Sequence, residues 1–217
     1  MTVRSNGRAP LNRRDFVRQV GLGTLAVAAV PRSLWAGAKA APVAFCGANL
    51  VARVSDYHFE LKNWMKQHVA TIEATDAGEW RAICEDIAAA GFKGIEVWEA
   101  HASPQTLDSK AKAAEWGRIM KETGLEPVAY AGTLSRDTLQ ISEWLEIPHV
   151  DGQLGALSPD DATKLCAEFE IGFNLENHPQ KTTAEILKPI GGGNEWLGVC
   201  IDTGWLGTQG APGPKII

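Results

Sequence analysis

The sequence lacks the features of a disulfide-stapled or membrane-embedded protein. Its four cysteines, Cys46, Cys84, Cys166 and Cys200, are widely spaced and contain no C-x-x-C pair. A disulfide framework and a cysteine zinc site are therefore not expected. The pattern predicts buried free thiols instead. No apolar run reaches the roughly 18 to 20 residues of a spanning helix, which excludes a polytopic membrane protein. With 45% hydrophobic and 22% charged residues, the composition is that of a globular domain.

Positive charge is scarce outside the amino-terminal region. Residues 1–40 carry seven basic side chains and one acid, a net charge of +6. The remaining 14 basic and 25 acidic residues give the rest of the chain a net charge of −11. Such an acidic body repels a phosphate backbone, so no nucleic-acid partner is predicted.

The basic amino-terminal region has the pattern of an export signal. Arg13 and Arg14 precede Phe16, a mild apolar stretch runs from Val20 to Val30, and the small tripeptide 36–38 follows. A charged region, a short apolar region and an A-x-A-like site are typical of a cleavable secretory signal, and an amphipathic or uncleaved anchor helix is the alternative. The adjacent arginines resemble the twin-arginine signal, which implies the twin-arginine export machinery as a partner and a periplasmic or secreted protein. We therefore divide the chain into a signal, residues 1–40, and a folded domain, residues 41–217.

The folded part alternates short apolar runs with helical patterns. Six strands are predicted: 42–46, 94–98, 127–130, around 149–150, 171–175 and 197–201. Helices are predicted between them, including one over 79–90 that ends at Gly91, one over 110–121, and one that begins with Ser158 as N-cap. Tyr57, Leu61 and Trp64 stand at helical spacing in the longer first connection. Alternating strands and helices predict parallel βαβ units, in either a TIM-type barrel or an open doubly wound sheet.

Ionisable residues collect directly after the predicted strands, where parallel α/β folds build their active sites. Strand two contains Glu96 and is followed by Glu99 and His101. Glu176 to His178 follow strand five, and Asp202 follows strand six. A Glu and an Asp at neighbouring strand ends repel each other unless a cation lies between them, and a divalent metal ion resolves this most simply. A lone carboxylate in such a position is more often a helix cap, so the prediction depends on several residues sharing one rim. The triple glycine Gly191–Gly193 precedes a strand, the wrong order for a phosphate-binding loop.

Three segments resemble one family, the sugar phosphate isomerases/epimerases, which are xylose-isomerase-like TIM barrels. They are 94–101 (GIEVWEAH), 173–178 (FNLENH) and 198–204 (GVCIDTG). The resemblance covers about residues 43–208 and decides the fold prediction: an α/β TIM (β/α)8 barrel with about six of its eight βα units.

The resemblance implies a divalent metal ion (Mn, Co, Mg or Zn) held by Glu176 and Asp202. It also implies proton transfer next to a carbonyl through an enediolate, with Glu176 as one of two catalytic carboxylates acting on a small-molecule carbohydrate. His101, His178 and Trp98 are the implied substrate contacts. Trp205 is a departure, because several sugar epimerases carry a histidine at that position.

The family also has a His on strand seven and a Glu on strand eight as metal ligands, and the six predicted strands include neither. The roughly 177 residues after the signal compare with about 250 in a typical barrel. We therefore expect the chain to lack half of its metal ligands and to be inactive alone, and the ending 210–217 to be a loop cut short or a shifted reading frame. Assembly into a homo-oligomer stays open.

Two other functions compete with the isomerase or epimerase. One is a non-catalytic carbohydrate-binding protein on the same fold, in which Trp98 and Trp205 stack on sugar rings. The other is a lyase or hydrolase that acts on oxidised sugars or glycosides with the same metal ion and glutamates. An abasic-site endonuclease, which shares the fold, is disfavoured by the acidic body and the export signal.

Overall fold

The structure, a computed structural model, describes residues 43–208 and 210. The predicted export signal and all but one residue of the ending 210–217 lie outside these residues, so both interpretations stay predictions. The six predicted strands are all present: β1 (Ala44–Cys46), β2 (Gly94–Trp98), β3 (Glu126–Thr133), β4 (His149–Gln153), β5 (Gly172–Glu176) and β6 (Leu197–Cys200). Within the described residues, seven α-helices accompany them: α1 (Trp64–Ala74), α2 (Ala77–Ala89), α3 (Lys110–Thr123), α4 (Arg136–Trp144), α5 (Pro159–Phe169), α6 (Thr183–Leu187) and α7 (Thr203–Thr208).

The six strands form one sheet in which every pair is parallel and neighbours follow each other along the chain, in the order β1 to β6. A spatial strand order that follows the chain throughout is that of successive βα units of a (β/α)8 barrel. A doubly wound sheet reverses its strand order partway. The predicted α/β fold with about six βα units is therefore confirmed. Among the described residues, β1 and β6 do not pair with each other.

The two faces of the sheet differ in chemistry, because successive strand residues point to opposite sides. One face packs against the helices through fully buried apolar side chains, among them Ile95, Val97, Tyr130, Val150 and Phe173. The alternate positions, which include Glu96, Asp151, Asn174, Glu176 and Cys200, are only partly buried. The sheet thus has an apolar outer face and an acidic inner face.

Serine caps set the starts of three helices. The hydroxyls of Ser109, Ser135 and Ser158 accept hydrogen bonds from backbone N–H groups in the first turns of α3, α4 and α5. Pro159 follows Ser158 at the first helical position, as the sequence predicted. Gly91 follows α2 with a φ of +93°, which confirms its predicted role in ending that helix.

The connection after β1 differs from the prediction. Tyr57 is not helical, and α1 begins only at Trp64, after three short 3₁₀ turns. Asp56 and Tyr57 adopt left-handed backbone conformations, which no helix continues. Arg53 holds this connection to α2 by hydrogen bonds of 2.6 Å to both Glu79 and Asp86.

All four cysteines are free, with Cys84 and Cys166 buried and Cys46 and Cys200 partly buried. The prediction of free thiols is therefore confirmed at all four positions, and the prediction of burial is confirmed for Cys84 and Cys166. Burial raises the pKa of Cys84 and Cys200 to about 12. No helix in the described part of the chain has the length and apolar character needed to cross a membrane.

Candidate functional site

The end of β5 and the end of β6 place three ionisable side chains side by side. Glu176 is the last residue of β5, where it lies in register with Cys200 of β6. His178 follows Glu176 by two residues, and Asp202 follows Cys200 by two residues. Neighbouring parallel strands end at the same edge of the sheet, so this spacing brings the three side chains together. The sequence predicted this proximity for Glu176 and Asp202, and it indicated His178 only as a substrate contact.

One ligand atom from each of Glu176, His178 and Asp202 lies within 4.8 Å of the others. His178 is in the middle: its Nε2 is 3.0 Å from Asp202 Oδ2, and its Nδ1 is 3.7 Å from Glu176 Oε2. Each of the three side chains is about one third exposed, at 32–36%. The cluster is therefore reachable from solvent and still partly shielded by the protein.

The two carboxylates have opposite electrostatic environments. Burial raises the pKa of Glu176; His178 opposes this shift, and the neighbouring carboxylate of Asp202 adds to it. Burial also acts against ionisation of Asp202, but the backbone N–H of Trp205 and the His178 imidazole outweigh it and lower the pKa. Glu176 therefore holds a proton more readily than an ordinary glutamate, and Asp202 is a more persistent anion.

Further acids lie below the cluster on the inner face. Burial raises the pKa of Glu96, the Cys46 thiol opposes this by a hydrogen bond, and Asp151 and Glu176 reinforce it. Burial likewise raises the pKa of Asp151, although Asn174 Nδ2 donates a hydrogen bond of 2.7 Å to its Oδ1. The inner face thus brings the carboxyl groups of Glu96 and Asp151 close enough to Glu176 to interact with it electrostatically.

The donor set of the cluster suits a divalent cation. Two carboxylates and one imidazole are ligands that Zn²⁺, Mn²⁺ and Co²⁺ accept, and their spread is small enough for side-chain rotation to bring them onto one ion. Without a cation, the carboxylates of Glu176 and Asp202 repel each other at close range. Glu176 and Asp202 are the two ligands implied by the resemblance; the structure adds His178 as a third group in the same place.

Trp205 and Asn177 flank the cluster. Sequence reasoning assigned Asn177 no role, and it assigned Trp205 only a sugar-stacking role in the carbohydrate-binding alternative. The Trp205 ring packs against the His178 imidazole with centroids 4.7 Å apart, and its backbone N–H donates a 2.9 Å hydrogen bond to Asp202 Oδ1. Asn177 is completely buried and bonds the backbone of Asp202. The sequence did place a polar residue, Asn177, directly between Glu176 and His178. A buried amide needs hydrogen-bond partners, so this position could have indicated a structural role beside the site.

Trp98 and His101 make their contacts with other residues. Trp98 is 5% exposed and packs against Trp64, His68 and His101. His101 is 2% exposed, its Nδ1 is 3.2 Å from Thr75 Oγ1, and its ring packs against Trp80. None of these contacts, within the described part of the chain, is with Glu176, His178 or Asp202. The predicted substrate contacts of Trp98 and His101 therefore stay predictions.

No family model matches the chain, and no curated protein matches it significantly. The chain is similar to several solved structures at low sequence identity. They include the probable 3-DHS dehydratase AsbF from Bacillus anthracis, involved in petrobactin synthesis, with a TM-score of 0.49 and 16% identity over 81% of this chain and 68% of that chain.

Two further solved structures are similar over a shorter part of the chain. A xylose isomerase domain protein from Planctomyces limnophilus has a TM-score of 0.41 and 13% identity over 56% of this chain. D-psicose 3-epimerase from Clostridium cellulolyticum H10 has a TM-score of 0.46 and 17% identity over 59% of this chain. The matched parts are 57% and 60% of those two chains, less than two thirds of their length. These likenesses concern the fold and assign no activity.

Proposed function

We propose that this chain carries a divalent-metal-dependent site of a sugar isomerase or epimerase, which moves a proton at a carbon next to a carbonyl. The observation that carries the proposal is the cluster of Glu176, His178 and Asp202 at the carboxyl ends of β5 and β6. Its residue types and place in the fold agree with the motif resemblance of segments 173–178 and 198–204.

Within the proposed site, Glu176, His178 and Asp202 would hold the metal ion. When bound, the ion would polarise substrate oxygens and stabilise negative charge that develops during proton transfer. Asp202 supplies a persistent negative charge, because the Trp205 N–H and His178 lower its pKa despite burial. Glu176 is the proton acceptor of the proposal, because the motif resemblance implies a metal-bound glutamate at this position as one of two catalytic carboxylates.

The first test is thermal unfolding of the full chain in EDTA and with Mn²⁺, Co²⁺, Mg²⁺ or Zn²⁺ added. An ion present at 100 times its dissociation constant adds about 2.7 kcal/mol to the free energy of unfolding. For a domain of this size, that raises the melting temperature by about 5–10 °C. Glu176→Gln and Asp202→Asn should remove the rise.

Glu195→Gln is the matched control, because Glu195 is an exposed acid next to the opposite end of β6. It should keep the full metal-dependent rise. A wild-type melting curve that no ion shifts, or a shift that survives Glu176→Gln, would overturn the proposed metal site.

The second test incubates the metal-loaded chain with unphosphorylated and phosphorylated sugars. It follows product identity by chromatography as well as product mass, because an unconverted sugar also keeps its mass. An isomerase or epimerase leaves the mass unchanged, whereas a dehydratase releases water and a hydrolase adds it. Sugar binding without conversion in the wild type and in Glu176→Gln alike would support the non-catalytic binding protein instead.

A further inference from the structure

Asn177 joins the ends of the two strands that carry the cluster. Its side chain is 0% exposed. Its Nδ2 donates a hydrogen bond of 3.2 Å to the backbone carbonyl of Asp202, and its Oδ1 accepts one of 2.5 Å from the backbone N–H of the same residue. One amide side chain therefore satisfies both backbone polar groups of a residue 25 positions away.

These two hydrogen bonds continue the lateral pairing of β5 and β6 beyond the last paired residues of the two strands. The paired register of the two strands ends at Glu176 opposite Cys200. Beyond that point, the Asn177 side chain takes the place of a backbone partner for Asp202. The position of the Asp202 backbone relative to β5 therefore depends on this side chain.

All three cluster residues are adjacent to this connection. Glu176 and His178 are the chain neighbours of Asn177, and Asp202 is its hydrogen-bonded partner. A displacement of Asp202 away from β5 would separate its carboxylate from Glu176 and from His178 Nε2. We infer that Asn177 is a positioning residue, which sets the separation of the Glu176 and Asp202 carboxylates and thereby the affinity of the site for a divalent cation.

The inference rests on the proposed metal site, and a purely structural role for Asn177 is its rival. Asn194 offers a matched control, because its side chain makes a comparable set of bonds before the opposite end of β6. Asn194 Oδ1 accepts hydrogen bonds from the backbone N–H groups of Trp196 (2.8 Å) and Leu197 (3.0 Å). Its Nδ2 donates a 2.9 Å bond to Thr163 Oγ1.

The experiment measures the Mn²⁺ dissociation constant of the full chain by isothermal titration calorimetry, together with the melting temperature in EDTA. Asn177→Ala should weaken Mn²⁺ binding by about tenfold or more at a temperature where the variant is folded, since residues that orient metal ligands typically contribute 10–100-fold. Asn194→Ala should lower the melting temperature in EDTA while leaving the dissociation constant within about twofold of the wild type.

Three outcomes separate the inference from the proposed function. Wild-type binding that Asn177→Ala leaves unchanged, or that Asn194→Ala weakens equally, overturns the positioning role and leaves the metal site standing. A wild type that binds no Mn²⁺ overturns the metal site itself. If Asn177→Ala does not fold, Asn177→Ser replaces it in the same comparison. The serine hydroxyl can still form a hydrogen bond, so fewer buried polar groups lose their partner than with alanine.

Discussion

The indole ring of Trp205 packs edge-on against the imidazole of His178, with ring centroids 4.7 Å apart and ring planes at 64°. The same residue donates its backbone N–H to Asp202. Its indole Nε1 is buried without a hydrogen-bond partner in the described structure. Trp205 therefore contributes to the cluster through its ring surface and its backbone, and its side-chain donor contributes nothing there.

This arrangement predicts different effects for two substitutions of Trp205. Trp205→Phe keeps an aromatic ring beside His178 and removes a donor that has no partner, so metal affinity should stay within about threefold of the wild type. Trp205→Ala removes the ring contact, worth about 0.5–1.5 kcal/mol, and should weaken Mn²⁺ binding by about 2- to 10-fold. Calorimetric titration of both variants measures the difference; equal affinities for Phe and Ala would show that the ring does not orient His178.

His101 predicts a pH dependence of stability. Burial lowers the pKa of His101 to about 4, although the Gly47 backbone opposes the shift. An unfolded histidine titrates near 6.5, so the unfolded state binds more protons than the folded state between pH 6.5 and 4. The contribution of His101 is complete above pH 6.5 and is lost as the pH falls to about 4, by about 3 kcal/mol in total.

The measurement is urea unfolding of the wild type and His101→Gln from pH 7.5 to 4. Other groups titrate in both proteins, and the difference between the two curves isolates His101. The variant should start less stable at pH 7.5 and lose less stability as the pH falls. Parallel curves would contradict a buried neutral imidazole.

Two glycines predict stability changes of opposite sign. Gly152 of β4 has a φ of +147°, and a Cβ there would lie 2.1 Å from the Gly132 carbonyl oxygen of the neighbouring strand. Gly152→Ala should therefore cost about 3 kcal/mol or more. Gly117 lies inside α3, where the nearest atom to an added Cβ is Leu145 Cδ2 at 3.9 Å. Gly117→Ala should add about 0.5–1 kcal/mol, because alanine is the better helix former.

Urea unfolding at pH 7.5 checks both substitutions under one condition. A Gly152→Ala variant within 1 kcal/mol of the wild type would mean that β3 and β4 separate easily at this point. A destabilised Gly117→Ala variant would mean that α3 and Leu145 pack more closely than the structure shows.

The elements that the sequence predicted best are those with strong local signals. The run at 94–98 has apolar residues around a single acid, Glu96, contains two β-branched residues and matches β2 at both ends. Ser158 and Pro159 marked the start of α5. The connection after β1 was predicted poorly, because its turns depend on left-handed residues such as Tyr57 and on Arg53 bonds to residues 26 and 33 positions away.

The ionisable residues of the candidate site were predictable from the sequence. The residues that hold them in place, Asn177 and Trp205, were not. Glu176 and Asp202 follow predicted strands, so their proximity follows from parallel strand order. The roles of Asn177 and Trp205 depend on contacts across 25 and 27 positions of chain, which no local pattern specifies. His178 was named as a substrate contact, and only the structure shows it between the two carboxylates.

The two-faced character of β5 has a consequence for how the chain finds its register. Phe173 and Leu175 face the helices, and Asn174 and Glu176 face the acidic side. A shift of one residue would exchange these faces, forcing a carboxylate into the apolar layer and a phenyl ring among anions. The acids that form the site therefore also destabilise pairing of β5 in a shifted register. Their replacement by apolar residues would make shifted registers more accessible, even where it relieves charge repulsion.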